Sequence, residues 1–245
     1  MEKLQTDSKI PLYVQIKEII AEDIRTGKLQ PGQPIPPESM LSEQYAVSRA
    51  TVRQAVTDLV HQGLLVRQQG RGTFVNRPRI ETKLRNLYSF SQDMIERGSN
   101  PESRVIEFEI VLPKPAVKEK LNLADGELVI KLVRLRLVDD ELIMLETTFV
   151  PYNLFSRLTQ EEVQNHKSLY SLFEEKYEIK MDHVVDYFEP ILVDDFHSKM
   201  LEVPVGAPAL YIERIGYMDK DVRVELSQSV VRGDRCRYFV ELFRV

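Results

Sequence analysis

The sequence predicts an α+β protein of two domains, a small helix-rich head followed by a larger α/β domain built on a mainly antiparallel sheet. Three observations predict it. Apolar residues recur at helical spacing between Leu12 and Val60, and from Val105 onward they recur in strand-length runs closed by acidic or glycine-containing turns. Between the two regimes lies a polar, proline-containing stretch, Arg77-Pro78-Arg79-Ile80-Glu81-Thr82-Lys83, with no sustained period, which is the pattern of a linker. The expected division is therefore a head at 1–76, a linker at 77–83 and a second domain at 84–245, and 245 residues suffice for two separate cores.

In the head, Leu12, Ile16, Ile19, Ile20 and Ile24 line one face of a first helix that closes at Gly27. Residues 41–56 then read as helix, tight turn and second helix. Ser48 is a good N-cap for the backbone N–H of Thr51, and Val52, Val56, Leu59 and Val60 repeat at helical spacing until Gly63 stops the run. The apolar stripe anchors that helix and leaves Arg49, Thr51, Arg53 and Gln54 of its opening turns facing outward. Such a turn suits a DNA major groove, where guanidinium and amide groups meet base edges or phosphate. Two strand-like runs follow, Leu64 to Gln69 and Thr73 to Asn76, joined by Gly70-Arg71-Gly72. This is a hairpin whose glycines allow close backbone approach and whose Arg71 carries charge at the tip. The head reads as a winged helix-turn-helix.

In the second domain, strands are expected at 105–112, 128–138, 142–150, 184–188, 210–218, 222–231 and 238–243, with helices around 119–121, at 168–177 and at 194–201. The short links Asp139-Asp140-Glu141 and Asp219-Lys220-Asp221 each join two strands tightly, which makes the sheet mainly antiparallel. Sliding the domain against itself by 80 positions brings Phe108-Glu109 onto Phe188-Glu189, Leu121 onto Leu201, Gly126 onto Gly206, Arg134 onto Arg214 and Asp139 onto Asp219. Two copies of a strand, helix, Gly turn and hairpin unit are implied, paired about a pseudo-twofold with a cleft between them.

Candidate ligand residues sit on those hairpins. Arg134 and Arg136 are two apart in an otherwise apolar strand, so both point to one face, while Glu146 and Glu225 interrupt other apolar runs and Ser168 caps the helix that carries Tyr170. Two arginines and a serine-capped helix start form an anion site. The alternative is that the arginines pair with nearby acids on a solvated sheet face.

In the head, Pro36-x-Glu38, Val47-Ser48-Arg49-x-Thr51-Val52-Arg53-x-Ala55, Gly63-Leu64-Leu65 and Gly70-Arg71-Gly72-Thr73-Phe74-Val75 together resemble the GntR superfamily of bacterial transcription regulators. The second domain is similar to the UTRA effector-binding domain of the HutC branch of that superfamily. The residues that carry this likeness are Leu87-x-Ser89-Phe90-Ser91-x-Asp93-Met94, Arg134-x-Arg136, Glu146, Pro151-Tyr152, Ser168-x-Tyr170, Glu225 and Ser229-x-x-Arg232-Gly233-Asp234-Arg235. The resemblance implies a fold like that of chorismate lyase, a homodimer, an operator on double-stranded DNA, repression, and a pocket for a small anionic metabolite such as a phosphorylated sugar or amino sugar. On that basis Ser89, Phe90, Ser91, Arg134, Arg136, Ser168 and Tyr170 would surround the anionic end, with Glu146 and Glu225 toward hydroxyl or amino groups. The chain departs from the pattern at Pro36-Pro37-Glu38-Ser39, where many relatives have Pro-Ser-Glu-Arg, and at Val231, where some have tyrosine.

Composition agrees. Residues 1–80 hold 11 basic and 8 acidic side chains, the remainder 22 and 30, so a mildly basic head precedes an acidic body. No apolar run is long enough to span a bilayer and no signal-peptide pattern opens the chain, so a cytoplasmic protein without a membrane partner is expected. The single Cys236 and the dispersed His61, His166, His183 and His197 show no metal spacing, and no nucleophile with a base partner or Gly-rich phosphate loop is evident. No cofactor, metal or catalysis is expected. A ligand-free DNA-binding dimer and an enzyme of chorismate-lyase type are the competing readings.

Overall fold

The computed structural model describes residues 4, 8, 10–68, 70–76, 79–84 and 89–243; Gln69 of the hairpin, Arg77 and Pro78 of the expected linker, and Leu87 of the family pattern lie outside them. The chain divides into two compact units, Met1–Pro78 and Arg79–Val245.

The first unit packs α1 (Leu12–Arg25), α2 (Glu38–Tyr45) and α3 (Arg49–His61) against a hairpin of β1 (Leu65–Gln68) and β2 (Gly72–Val75). α2 starts directly after Pro36-Pro37, whose missing N–H groups are tolerated before a helix but not inside one. It ends on Ala46 in the left-handed region (φ 53°), and the N–H of Val47 returns to the carbonyl of Ser42 at 3.1 Å, which makes the tight turn into α3. Ile16, Val52, Ala55, Val56 and Leu59 are fully buried and tie the helices into one core. β1 and β2 are antiparallel, from Leu65 opposite Val75 to Gln68 opposite Gly72.

The second unit begins with β3 (Ile80–Lys83) and α4 (Phe90–Glu96), then β4 (Pro101–Val111), α5 (Pro115–Leu121), β5 (Val129–Val138), β6 (Glu141–Pro151), α6 (Gln160–Asn165) and α7 (Leu169–Tyr177). It continues with β7 (His183–Leu192), α8 (Asp195–Leu201), β8 (Pro208–Met218), β9 (Val222–Arg232) and β10 (Cys236–Phe239). Six strands form one antiparallel sheet in the order β4-β5-β6-β9-β8-β7. That order is symmetric about the β6–β9 join, as the 80-residue echo implies. β5 turns into β6 through Asp139 (φ 49°) and Asp140 (φ 65°), a two-residue turn of the hairpin type.

Strand alternation divides the coverage. Ile130 and Leu132 of β5 face α6 and α7, in a core with Phe155, Val163 and Phe173, whereas Val129 meets Val117 and Leu121 of α5 and Val133 meets Leu201 of α8. The outer edge of β4 is capped by Gln164 of α6, which accepts from the Val105 N–H at 2.9 Å and donates to the Ser103 carbonyl at 2.8 Å.

Three local expectations need correction. Ile80–Lys83 is not linker but strand β3, paired in parallel with β10 from Ile80 opposite Cys236 to Lys83 opposite Phe239. The strand expected at 238–243 starts earlier and stops at Phe239, because its partner ends at Lys83 and the last ladder bond runs from the Leu84 N–H to the Phe239 carbonyl. The helices α4 and α6 were not foreseen; Thr159 and Glu162 form a capping box that marks α6.

Candidate functional site

In the first unit, Ser48 caps α3 as its sequence requires, accepting from the Thr51 N–H at 3.2 Å and meeting the Thr51 hydroxyl at 2.8 Å. Because Val52, Ala55, Val56 and Leu59 are all buried, the opposite face of α3 carries Arg49, Arg53 and Gln54 into solvent. Gln54 donates to Asp58 at 2.7 Å. Arg53 reaches Glu38 at the start of α2, and Arg67 of β1 reaches the other oxygen of the same carboxylate, both at 3.4 Å. Glu38 thus ties the first turn of α2 to α3 and to the hairpin, a link that the sequence did not reveal. Gly70 (φ 74°) and Gly72 (φ 118°) adopt backbone that other residues rarely take, and Arg71 between them is exposed at the tip.

In the second unit, β5, β6, β8, β9, α4 and α7 converge on a concave pocket that contains Ser89, Phe90, Ser91, Arg134, Arg136, Glu146, Tyr170 and Glu225. Eight of the nine residues singled out from the sequence line it. The ninth, Ser168, stands just behind: it is buried, its hydroxyl accepts from the Ser171 N–H at 3.4 Å, and it meets the Ser89 hydroxyl at 3.4 Å.

Register explains the convergence. Arg134, Glu146 and Ser229 lie side by side across β5, β6 and β9, and Arg214 and Ser227 occupy the adjoining row on β8 and β9. Arg134 and Arg136 are 3% and 4% exposed, so the solvated-face alternative fails, although acid pairing itself is present. Arg134 bonds to Glu146, and Arg136 lies 3.5 Å from the same carboxylate. Arg136 also donates to the Ser91 hydroxyl at 2.5 Å and lies 5.0 Å from the centre of the Phe90 ring. The Nε of Arg134 is buried with no hydrogen-bond partner among the described residues.

Burial would raise the Glu146 carboxyl, but the charges of Arg134 and Arg136 outweigh it and hold the group down at about 2. Glu225 goes the other way: burial pushes it up to about 7 against the Tyr170 hydrogen bond and the Arg214 charge. Burial and the Glu225 charge keep the Tyr170 hydroxyl well above the usual phenol range, so it remains a donor, at 2.6 Å from Glu225.

The polar lining residues not singled out from the sequence as ligand groups are Arg214, Ser227, Ser229 and Tyr238, and behind them stands Asp186, which grips Arg214 in a two-point pair at 2.6 and 2.7 Å. A signal for Arg214 was available, since the internal echo superposes it on Arg134. Among the described residues no group of His, Cys, Asp or Glu is placed to hold a metal ion, and no helix is long and apolar enough to cross a membrane.

Comparison with known proteins agrees with both units. Residues 12–75 match the bacterial regulatory proteins of the gntR family, and residues 96–237 match the UTRA domain. The chain is 35% identical to the HTH-type transcriptional repressor NagR of Bacillus subtilis, over 95% of either chain. It is 31% identical to the mannosyl-D-glycerate transport/metabolism system repressor MngR of Escherichia coli, over 93% of this chain and 94% of that one. Among solved structures, PhnF from Mycobacterium smegmatis has the same fold, with a TM-score of 0.62 and 24% identity over 94% of this chain and 98% of that one. The chain is a DNA-binding transcription regulator of the gntR family, in the HutC branch, with a helix-turn-helix head followed by a UTRA domain.

Proposed function

We propose that the protein is a repressor that binds an inverted-repeat operator as a homodimer and is controlled by a small anionic metabolite, a phosphorylated sugar or amino sugar, held in the pocket of the second unit. The observation that carries the ligand is the buried cluster of Arg134, Arg136 and Ser91, with the Arg134 Nε buried and without a hydrogen-bond partner. A buried donor left in that state is costly unless a ligand oxygen meets it. The relatives give circumstantial support: those named above include repressors, one of them of a mannosyl-D-glycerate system.

On the DNA side, α3 would enter the major groove through Ser48, Arg49, Thr51, Arg53 and Gln54, and the Gly70-Arg71-Gly72 tip would approach the minor groove, where narrow, electronegative tracts attract arginine. One such helix reads only a few base pairs, which is why a two-fold dimer is inferred. Arg49→Ala is expected to cost about 1–3 kcal/mol of operator binding and to relax sequence preference at one position. Gel-shift titration against operator and scrambled DNA checks it; unchanged operator affinity would remove Arg49 from the reading surface.

The function is tested by thermal-shift screening with sugar phosphates, followed by operator titration with and without the stabilising compound. A ligand held by the folded state raises apparent stability. Its coupling to operator binding is expected at about 1–3 kcal/mol, roughly a 5- to 150-fold change in affinity. Operator affinity that ignores every binding anion would leave a constitutive DNA-binding dimer instead.

A further inference from the structure

Among the described residues the pocket lining carries Arg134, Arg136 and Arg214 against Glu146 and Glu225, and a third acid, Asp186, stands behind the lining on Arg214; Arg134 and Arg136 pair with Glu146, and Arg214 pairs with Asp186. With Asp186 counted, a dianion entering this site meets no net positive charge from these groups to compensate its own. Glu225 is the acid with no arginine bonded to it among the described residues; it accepts instead from the Tyr170 hydroxyl. As a carboxylate it repels the anionic end of a ligand, whereas a protonated carboxyl is neutral and can donate a hydrogen bond to an anion oxygen.

We infer that the pocket takes up its anion together with a proton, and that Glu225 is the group that receives it. The inference rests on the anion-binding role proposed above. The groups around Glu225 fit it. Tyr170 of α7 is on one side and Arg214 of β8 on another, while the Glu146 and Arg134 charges act from β6 and β5. Gly216 lies beneath, where a Cβ would come within 3.1 Å of the Glu225 Oε2 and 3.2 Å of the Met181 sulfur, so that side of the carboxyl is closely packed. With its carboxyl titrating at about 7, Glu225 needs only a modest added negative charge to retain a proton near neutral pH. The balance is simple: free site plus anion plus one proton gives the occupied site, with no bond to carbon or phosphorus made or broken.

The consequence is that anion affinity falls as pH rises. The test uses inorganic sulfate, which stays doubly charged from pH 6 to 9, so any proton taken up belongs to the protein. Calorimetric titration of the full chain in buffers of different ionisation enthalpy reads the protons bound per sulfate. Thermal shift against chloride of equal ionic strength reads the affinity trend. The expected result is proton uptake in wild type that rises toward one above pH 7, with affinity roughly tenfold weaker at pH 8.5 than at pH 7. In Glu225→Gln, whose neutral amide mimics the protonated acid, both the uptake and the pH trend should vanish. Sulfate that binds with no proton uptake overturns this inference and leaves the anion site standing. Uptake that persists in Glu225→Gln assigns the proton to another group and overturns it equally. Sulfate that stabilises no better than chloride at any pH overturns the anion site itself, and this inference with it.

Discussion

Arg134→Gln is expected to destabilise the second unit by about 3–5 kcal/mol, because it strands the buried Glu146 carboxylate without its direct partner. Arg134 is 3% exposed and bonds to Glu146, and the remaining cation, Arg136, lies 3.5 Å from that group. The loss should be partly recovered in the double variant with Glu146→Gln, where the buried carboxylate is gone and Arg136 gives up that acid but keeps its bond to Ser91. Urea unfolding of the four proteins of this cycle measures the coupling. The pH dependence carries a definite sign. In wild type the Glu146 carboxyl is held at about 2, below its unfolded value near 4.5, so its stabilisation is present above pH 4.5 and is lost as pH falls toward 2. In Arg134→Gln that depression shrinks, so the penalty should be largest near neutral pH and should narrow in acid. Equal stability of wild type and Arg134→Gln at pH 7 would mean that the pair contributes nothing. The result also bears on design of ligand-blind variants: removing arginines alone confounds lost recognition with lost stability, and the Glu146-compensated pair separates them.

Phe173→Ala is expected to cost about 3–5 kcal/mol, also in the second unit. Phe173 is fully buried, its ring 4.2 Å from that of Phe155, and with Leu169 and Leu172 it fixes the inner face of α7. The same helix carries Tyr170, so loosening it should weaken anion binding before the unit unfolds. The first unit has its own core, so operator binding measured at low temperature should persist. Thermal unfolding followed by circular dichroism, with the sulfate shift recorded in parallel, reads both effects. A variant that melts like wild type would show that the site collapses around the missing ring.

Much of this architecture was legible because it is local. The arginine spacing in β5, the serine before α7 and the Asp139-Asp140 turn each state their geometry within a few residues, and Arg134 and Arg136 share a face and line the pocket. What was hidden depends on partners far along the chain. β3 is four residues with no period of its own, and only β10 makes it a strand. Arg214 looked like one more charge in an alternating strand until its row in the sheet placed it beside Ser227 and opposite Asp186. Glu38, on a helix start that propensity places easily, gives no local sign that it will meet Arg53 and Arg67.

The pairing of β3 with β10 also sets an order of events during synthesis. Residues 80–83 leave the ribosome directly after the first unit, yet their partners at 236–239 emerge some 150 residues later. The helix-turn-helix head has all its core residues by Val75 and is free to fold at once. β3 must wait as an unpaired, polar strand until nearly the whole second unit has been made, and a closure over so long a loop is slow. A nascent chain therefore passes through a stage in which the head is finished while the strand that follows it has nothing to bind. At that stage the DNA-reading element exists without the module that would regulate it.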